Sequence, residues 1–238
     1  MNSHPSMPFE VARRQLHFLW LVDYSGSMAG AKIQALNQAI REAIPEIRAA
    51  VANHPEVEVL MRAIRFSNSA EWHVGPDPVP LDQFTWPILG TQGYTNTAMA
   101  LELAADELDV TKMPRRGFPP VLLLISDGGA SDSGRYRAAL QNLLTLPWGK
   151  RAVRIAIGIG QDHEIDEGEL RAFNSDVERP LLRAHNVAEL VEQIKWASTA
   201  ATVASSAGKS ATGQAAQNVL LPQAPAHVML IPNGGDVF

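Results

Sequence analysis

Three side chains that could bind a metal ion lie within one short segment of the chain. The apolar run 16–22 ends abruptly at Asp23, and Ser25 and Ser27 follow on either side of Gly26. A tight turn with this spacing offers one carboxylate and two hydroxyls, and the glycine lets the backbone turn so that several oxygens can face one point. Oxygen ligands suit a hard divalent cation such as Mg²⁺, Mn²⁺ or Ca²⁺. The pattern therefore indicates a metal-binding turn.

Two further oxygen donors stand at comparable positions later in the chain. Thr95 precedes a helical pattern at residues 97–109, and Asp127 follows the apolar run 121–126. Taken alone, a threonine before a helix is more often only an N-cap, and an aspartate after a strand is more often a turn residue. Thr97 lies two residues beyond Thr95 and is a second candidate for the threonine ligand.

The two aspartates matter as a pair. Asp23 and Asp127 each follow an apolar run, so the two carboxylates converge if these runs are neighbouring strands. Carboxylates about 4 Å apart repel by about 4 kcal/mol at an effective dielectric constant of about 20. Such a pair either shares a proton or binds a cation. Nearby hydroxyls favour the cation, because they complete its oxygen shell.

The elements that would position these residues alternate between strand and helix. Hydrophobic patterning predicts strands at 16–22, 57–66, 70–74, 121–126, 151–159 and 181–183, and helices at 31–52, 97–109, 133–144, 167–173 and 187–199. Pro45 is expected to kink or divide the first helix, and residues 75–93 are expected to form a loop.

This alternation predicts an α/β fold. We expect a three-layer α/β/α arrangement with a mostly parallel sheet and right-handed crossovers, in which 70–74 pairs antiparallel with 57–66 at one edge. In such sheets ligands bind beyond the carboxyl ends of the strands, where the strand order reverses. Asp23 and Asp127 would lie there.

The composition narrows the functional classes. The 238 residues are 46% hydrophobic and 19% charged, with a net charge of -5 and no basic stripe, which argues against a nucleic-acid partner. The absence of cysteine excludes disulfides and thiolate metal sites. No apolar run reaches the roughly 18 residues of a membrane-spanning helix, so no membrane association is expected and a cytoplasmic location is the default expectation.

The five oxygen-bearing residues carry a resemblance to a known family. Residues 14–200 resemble the von Willebrand factor A domain with its metal-ion-dependent adhesion site, and Ser25-Gly26-Ser27-Met28, followed by Gly30 and Ile33, fits the family well. The resemblance implies that Asp23, Ser25, Ser27, Thr95 and Asp127 surround one divalent cation, Mg²⁺ or alternatively Mn²⁺ or Ca²⁺. Tyr94 stands where a small residue is more usual in the family.

The same resemblance implies a function. Such sites keep one coordination position for an Asp or Glu of a partner protein, so the domain is expected to be an interaction module and not an enzyme. The sequence is similar to the bacterial tellurium-resistance-type members, which implies a cytoplasmic stress-response setting beside a protein kinase and a phosphatase. The domain is expected to lie between an extension at 1–13 and a flexible linker at 201–218. The tail at 219–238 is expected to be a docking segment, a strand that packs back on the domain, or a disordered tail.

Two other functions stay open at the level of sequence. The first is a Mg²⁺-dependent phosphoester hydrolase, since two aspartates and a metal also serve that chemistry. No nucleophile is paired with a base, however, and Asp23 is followed by Tyr24 and Ser25 where a phosphoaspartate enzyme would carry a second aspartate. The second is a metal-free structural interaction domain, against which the intact set of oxygen donors argues.

Overall fold

The computed structural model describes residues 13–113, 116–129, 133–176 and 181–207. Within these ranges six strands and six α-helices follow one another, with a 3-10 turn at Gly26–Met28. The strands are β1 (Arg14–Asp23), β2 (Val57–Phe66), β3 (Ala70–Pro80), β4 (Val121–Ser126), β5 (Val153–Ile159) and β6 (Leu182–Ala184). The helices are α1 (Ala31–Val51), α2 (Thr97–Glu107), α3 (Ser133–Thr145), α4 (Pro147–Arg151), α5 (Glu167–Phe173) and α6 (Val187–Ala207).

The strands form a single sheet in the order β3-β2-β1-β4-β5-β6. All neighbours are parallel except β3, which pairs antiparallel with β2. β1 and β4 are direct neighbours, with Val22 opposite Ile125, so the two strands end side by side. The chain moves outward in opposite directions from this pair. The predicted α/β fold is confirmed, and the reversal of strand order opens a crevice beyond Asp23 and Asp127.

Helices cover both faces of the sheet because its central strands are apolar on both sides. Phe18 and Trp20 of β1 point into a core built with α1 and α6. The alternate residues Leu19 and Leu21 point into a second core built with α2 and α3. Successive side chains of a strand face opposite ways, so β1 joins both cores and is fixed in position by them.

Three local features differ from the prediction. α1 continues through Pro45 without being divided, and Pro45 is exposed, so water can bond the carbonyl that its missing N–H would have bonded. β3 runs on to Pro80 where a loop was expected, because an edge strand tolerates proline. The short helix α4 was not predicted, and β5 accordingly begins at Val153 instead of residue 151.

The structure describes part of the sequence that flanks the predicted domain 14–200. α6 extends to Ala207, so the first seven residues of the predicted linker 201–218 are helical. The extension at 1–13, apart from its last residue, and the tail at 219–238 lie outside the described residues. Among the described helices, none is both long and apolar enough to cross a membrane.

Candidate metal centre

The first loop of the site is compact. After β1 ends at Asp23, a 3-10 turn at Gly26–Met28 leads directly to α1. The hydroxyls of Ser25 and Ser27 lie 3.0 Å apart, with Ser25 buried and Ser27 exposed. The turn therefore presents two hydroxyl oxygens at one place, one at the base of the site and one toward solvent.

Asp23 forms the base of this loop. Its side chain is fully buried, Oδ1 accepts the backbone N–H of Ser25 at 2.8 Å, and Oδ2 accepts the hydroxyl of Ser126 at 2.6 Å. Burial raises the pKa of Asp23 to about 6, against the hydrogen bonds from Ser126 and Ser25, which lower it. The charge of Asp127 also raises this pKa but contributes least. Repulsion between the aspartates is thus present but smaller than the effect of burial.

The second loop is tied to the first by backbone hydrogen bonds. The N–H of Gly26 donates to the carbonyl of Gly93 at 2.8 Å, and the N–H of Gln92 donates to the carbonyl of Tyr24 at 2.8 Å. These bonds bring Thr95, which is buried, next to the serine turn. The N-cap of α2 is Asn96, whose side chain accepts the N–H of Met99, so Thr95 is not the helix cap.

A buried asparagine of α1 holds the approach to the second loop. The Asn37 amide donates to the carbonyl of Leu89 at 2.9 Å, and its oxygen accepts the N–H of Leu89 and the indole N–H of Trp86. Because α1 starts at the end of the first loop, this one side chain links the positions of the first and second loops.

The third loop follows β4. Asp127 is nearly buried, and its Oδ2 lies 3.8 Å from the Nζ of Lys32 at the start of α1. The same ammonium lies 3.2 Å from Oε2 of Glu164. The N–H of Gly128 donates to the hydroxyl of Ser126, which in turn donates to Asp23. Ser126 thus connects the first and third loops.

The three loops, with Lys32 of α1 and Glu164 of the loop after β5, line one open cavity of about 400 Å³. Four of the five predicted ligands line it, and Asp23 lies behind Ser25. The full lining is Ser25, Ser27, Lys32, Gly93, Tyr94, Thr95, Asp127, Gly129 and Glu164. Thr97 is buried elsewhere and is not part of the wall. Between the two candidate threonines, the geometry therefore favours Thr95.

Three residues of the site were not singled out from the sequence. Ser126 could have been noticed as a polar residue that closes an apolar strand, next to Asp127. Lys32 could have been noticed as a charged residue in the first turn of the helix that follows the serine turn. Glu164 gave no signal, because its place beside Lys32 depends on a contact across 132 positions of sequence.

The donor set fits a hard divalent cation. Every candidate ligand is a carboxylate or hydroxyl oxygen, which is the preference of Mg²⁺, Mn²⁺ and Ca²⁺. Within the described residues no group of three or more His, Cys, Asp or Glu side chains could hold a metal. An ion here would therefore depend on two aspartates and on neutral hydroxyls.

The fold and the cavity define a three-layer α/β/α domain with an oxygen-lined site at the reversal of strand order. The chain belongs to the von Willebrand factor type A domain family, whose family model matches residues 19–196. No curated protein is a significant match.

Solved structures share this fold at low sequence identity. A von Willebrand factor type A protein from Catenulispora acidiphila aligns with a TM-score of 0.61 at 16% identity, covering 79% of this chain and 43% of that one. The ArnB paralog VWA2 from Sulfolobus acidocaldarius aligns with a TM-score of 0.54 at 19% identity, covering 76% and 46% respectively.

A third similar structure is described with a metal. Proximal thread matrix protein 1 from the mussel byssus, with a zinc-occupied MIDAS motif, aligns with a TM-score of 0.56 at 17% identity, covering 81% of this chain and 47% of that one. The chain spans less than half the length of each of these three proteins. At these identities the likeness establishes the fold alone.

Proposed function

We propose that this chain is a metal-dependent protein-protein interaction module. The observation that carries the proposal is the convergence of Ser25, Ser27, Thr95 and Asp127, from three separate loops, on one cavity, with Asp23 behind them. In this proposal the five residues hold one divalent cation, directly or through water. A position on the ion is kept for an Asp or Glu of a partner protein.

The chemistry of the donors explains why a carboxylate would be the preferred partner group. Hydroxyl ligands are neutral, so an ion held by few carboxylates keeps much of its positive charge. An incoming carboxylate then forms a strong, charge-assisted contact with it. The oxygen donors favour Mg²⁺, Mn²⁺ or Ca²⁺ over zinc, which more often takes nitrogen and sulfur ligands.

The setting of the interaction is a further part of the proposal. We propose that the partner is a protein kinase or phosphatase in a bacterial cytoplasmic stress-response system of the tellurium-resistance type. This part of the proposal rests on the sequence resemblance alone. The described residues that line the cavity include no histidine or cysteine, and this supports binding over catalysis by an activated nucleophile. Among the cavity residues, the titratable side chains are Lys32, Tyr94, Asp127 and Glu164.

Calorimetry tests the metal site directly. Mg²⁺ and Mn²⁺ are titrated into EDTA-stripped protein, with Asp127→Asn as the site variant and Asp106→Asn, an exposed aspartate of α2, as the matched control. We expect one ion per chain in the wild type and in the control, and a loss of affinity of at least about tenfold in Asp127→Asn, because a carboxylate ligand is removed. Circular dichroism verifies that each variant is folded.

The same samples separate binding from catalysis. An acetate titration of the metal-loaded wild type is expected to give weak binding that disappears in EDTA. Hydrolysis of a generic phosphoester by the wild type, lost in Asp127→Asn, would replace the proposal with an enzyme. Absence of metal binding in the wild type would refute it.

A further inference from the structure

Lys32 is a charged side chain in an unusual position. It is the second residue of α1, only 7% of its surface is exposed, and it lines the cavity of the candidate metal centre. A buried ammonium is unfavourable unless negative groups surround it. The described residues that line the cavity include no other positively charged side chain.

Two carboxylates share this ammonium. Asp127 Oδ2 lies 3.8 Å from Nζ and Glu164 Oε2 lies 3.2 Å from it, so Lys32 stands between a candidate metal ligand and the rim of the cavity. Asp127 is nearly buried, whereas the side chain of Glu164 is 39% exposed. The ammonium thus has an inner and an outer acceptor within a short reach.

The outer acceptor is held in place. Glu164 Oε2 also accepts the backbone N–H of Gln161 at 2.8 Å. A Cβ at position 160 would lie 2.6 Å from Oε2 of Glu164 and 3.0 Å from Nζ of Lys32, so a larger residue there would displace the ends of both side chains. The outer position is therefore built into the loop after β5.

We propose that Lys32 is a built-in counter-cation that competes with the metal ion for Asp127. Without metal, the ammonium neutralises Asp127 and keeps the empty site stable. A divalent ion would repel the ammonium and take Asp127, and Lys32 would then keep only its existing hydrogen bond to Glu164. The displacement of Lys32 from Asp127 by a metal ion rests on the proposed function. The pairing of Lys32 with Asp127 in the metal-free protein does not.

The proposal predicts how metal affinity depends on Lys32. A monovalent and a divalent cation a few ångströms apart repel enough, even at the dielectric constant of water, to change affinity by roughly tenfold. We expect Lys32→Met to bind Mn²⁺ at least about tenfold more tightly than the wild type in calorimetry. Lys32→Arg keeps the charge and should bind about as the wild type does. Lys195→Met, which removes a surface pair with Glu42, is the matched control.

A double-mutant cycle in EDTA tests the metal-free state. Thermal midpoints are measured for the wild type, Lys32→Met, Asp127→Asn and the double variant. Lys32→Met should lower the midpoint by roughly 5 °C in the wild-type background and by much less when Asp127 is already neutral. Equal effects in both backgrounds would show that the two residues are uncoupled and would overturn the proposal.

The two experiments distinguish this inference from the proposed function. If the wild type binds Mn²⁺ and Lys32→Met binds it no more tightly, competition is refuted while the metal site stands. If neither protein binds Mn²⁺, the proposed function and the displacement both fail. The double-mutant cycle in EDTA then tests the remaining claim, which is that Lys32 neutralises Asp127 in the metal-free protein.

Discussion

At the scale of single residues, a second buried charge cluster lies away from the candidate metal centre. His17 of β1, Arg62 of β2 and Glu107 of α2 are all nearly buried. Arg62 donates to Glu107 and lies 3.3 Å from Nδ1 of His17. Burial, and then the positive charge of Arg62, lower the pKa of His17 to about 4. The folded protein therefore keeps this imidazole neutral.

His17 should make stability depend on pH. The unfolded chain binds a proton at His17 below its ordinary pKa of 6.5, but the folded protein does so only near pH 4. The unfolded state binds more protons in that interval, so stability decreases as the pH falls. Between pH 6.5 and 5 we expect His17 to account for a loss of about 1.5 kcal/mol in the free energy of unfolding. Urea denaturation at several pH values measures it.

The contribution of His17 is the difference between the pH dependence of the wild type and that of a variant without this histidine. His17→Gln should lose about 1.5 kcal/mol less than the wild type over this interval, although it is less stable at pH 7 because a buried polar network is disturbed. Exposed His163 provides the control, and His163→Gln should follow the wild type. Parallel pH curves for the wild type and His17→Gln would contradict the interpretation.

Which site residues are predictable depends on how local their signals are. Ser25 and Ser27 belong to one turn, and Asp127 directly follows a strand, so sequence spacing was enough to select them. The partnership of Lys32 with Glu164 could not be inferred, because the contact depends on how two distant loops meet. The same holds for Ser126 and Asp23, whose hydrogen bond spans 103 positions.

At the scale of elements, bounds were predictable where hydrophobic periodicity decides them. β2, β4 and α5 have the predicted limits, because each is a clear periodic or apolar run. The extension of β3 past Pro76 depends on pairing with β2, which a proline-rich segment does not reveal. The short helix α4 has too few residues to show a period. Tertiary contacts thus determine the element bounds that the local sequence pattern does not.

Gly93 links the second loop of the candidate site to the first, and its substitution should destabilise the protein. Its φ of 72° lies in the left-handed region, and a Cβ there would come within 2.7 Å of the Asn68 side chain. We expect Gly93→Ala to lower the free energy of unfolding by about 1–3 kcal/mol. Metal affinity should also decrease, because Thr95 is displaced from the serine turn. Urea denaturation and calorimetry measure the two effects.

Gly90 offers a matched control in the same loop. It has no positive φ, and a Cβ there would meet nothing within 4 Å. Gly90→Ala should change the free energy of unfolding by less than about 1 kcal/mol and leave metal binding intact. Equal effects of the two substitutions would show that the backbone geometry at Gly93 does not matter.

At the scale of the whole molecule, the topology explains why the site is where it is. β1 and β4 are adjacent and the chain moves outward from them in both directions, which leaves a crevice beyond their carboxyl ends. The alternation of strands and helices predicted a mostly parallel sheet with right-handed crossovers, but it left open whether β1 and β4 are neighbours. The depth of the cavity and its charge balance depend on loop contacts that the alternation does not determine.

Because the candidate ligands come from three loops that converge only in the folded protein, metal binding should stabilise the whole domain. An ion that binds only the folded state, at 100 times its dissociation constant, adds about 2.7 kcal/mol to the free energy of unfolding. For a domain of this size that corresponds to a rise in Tm of about 5–10 °C. Calorimetric scans with Mg²⁺ or EDTA should show this rise in the wild type and in Asp106→Asn, and a clearly smaller rise in Asp127→Asn. An equal rise in Asp127→Asn would locate the ion elsewhere, because the carboxylate of the third loop would then be dispensable.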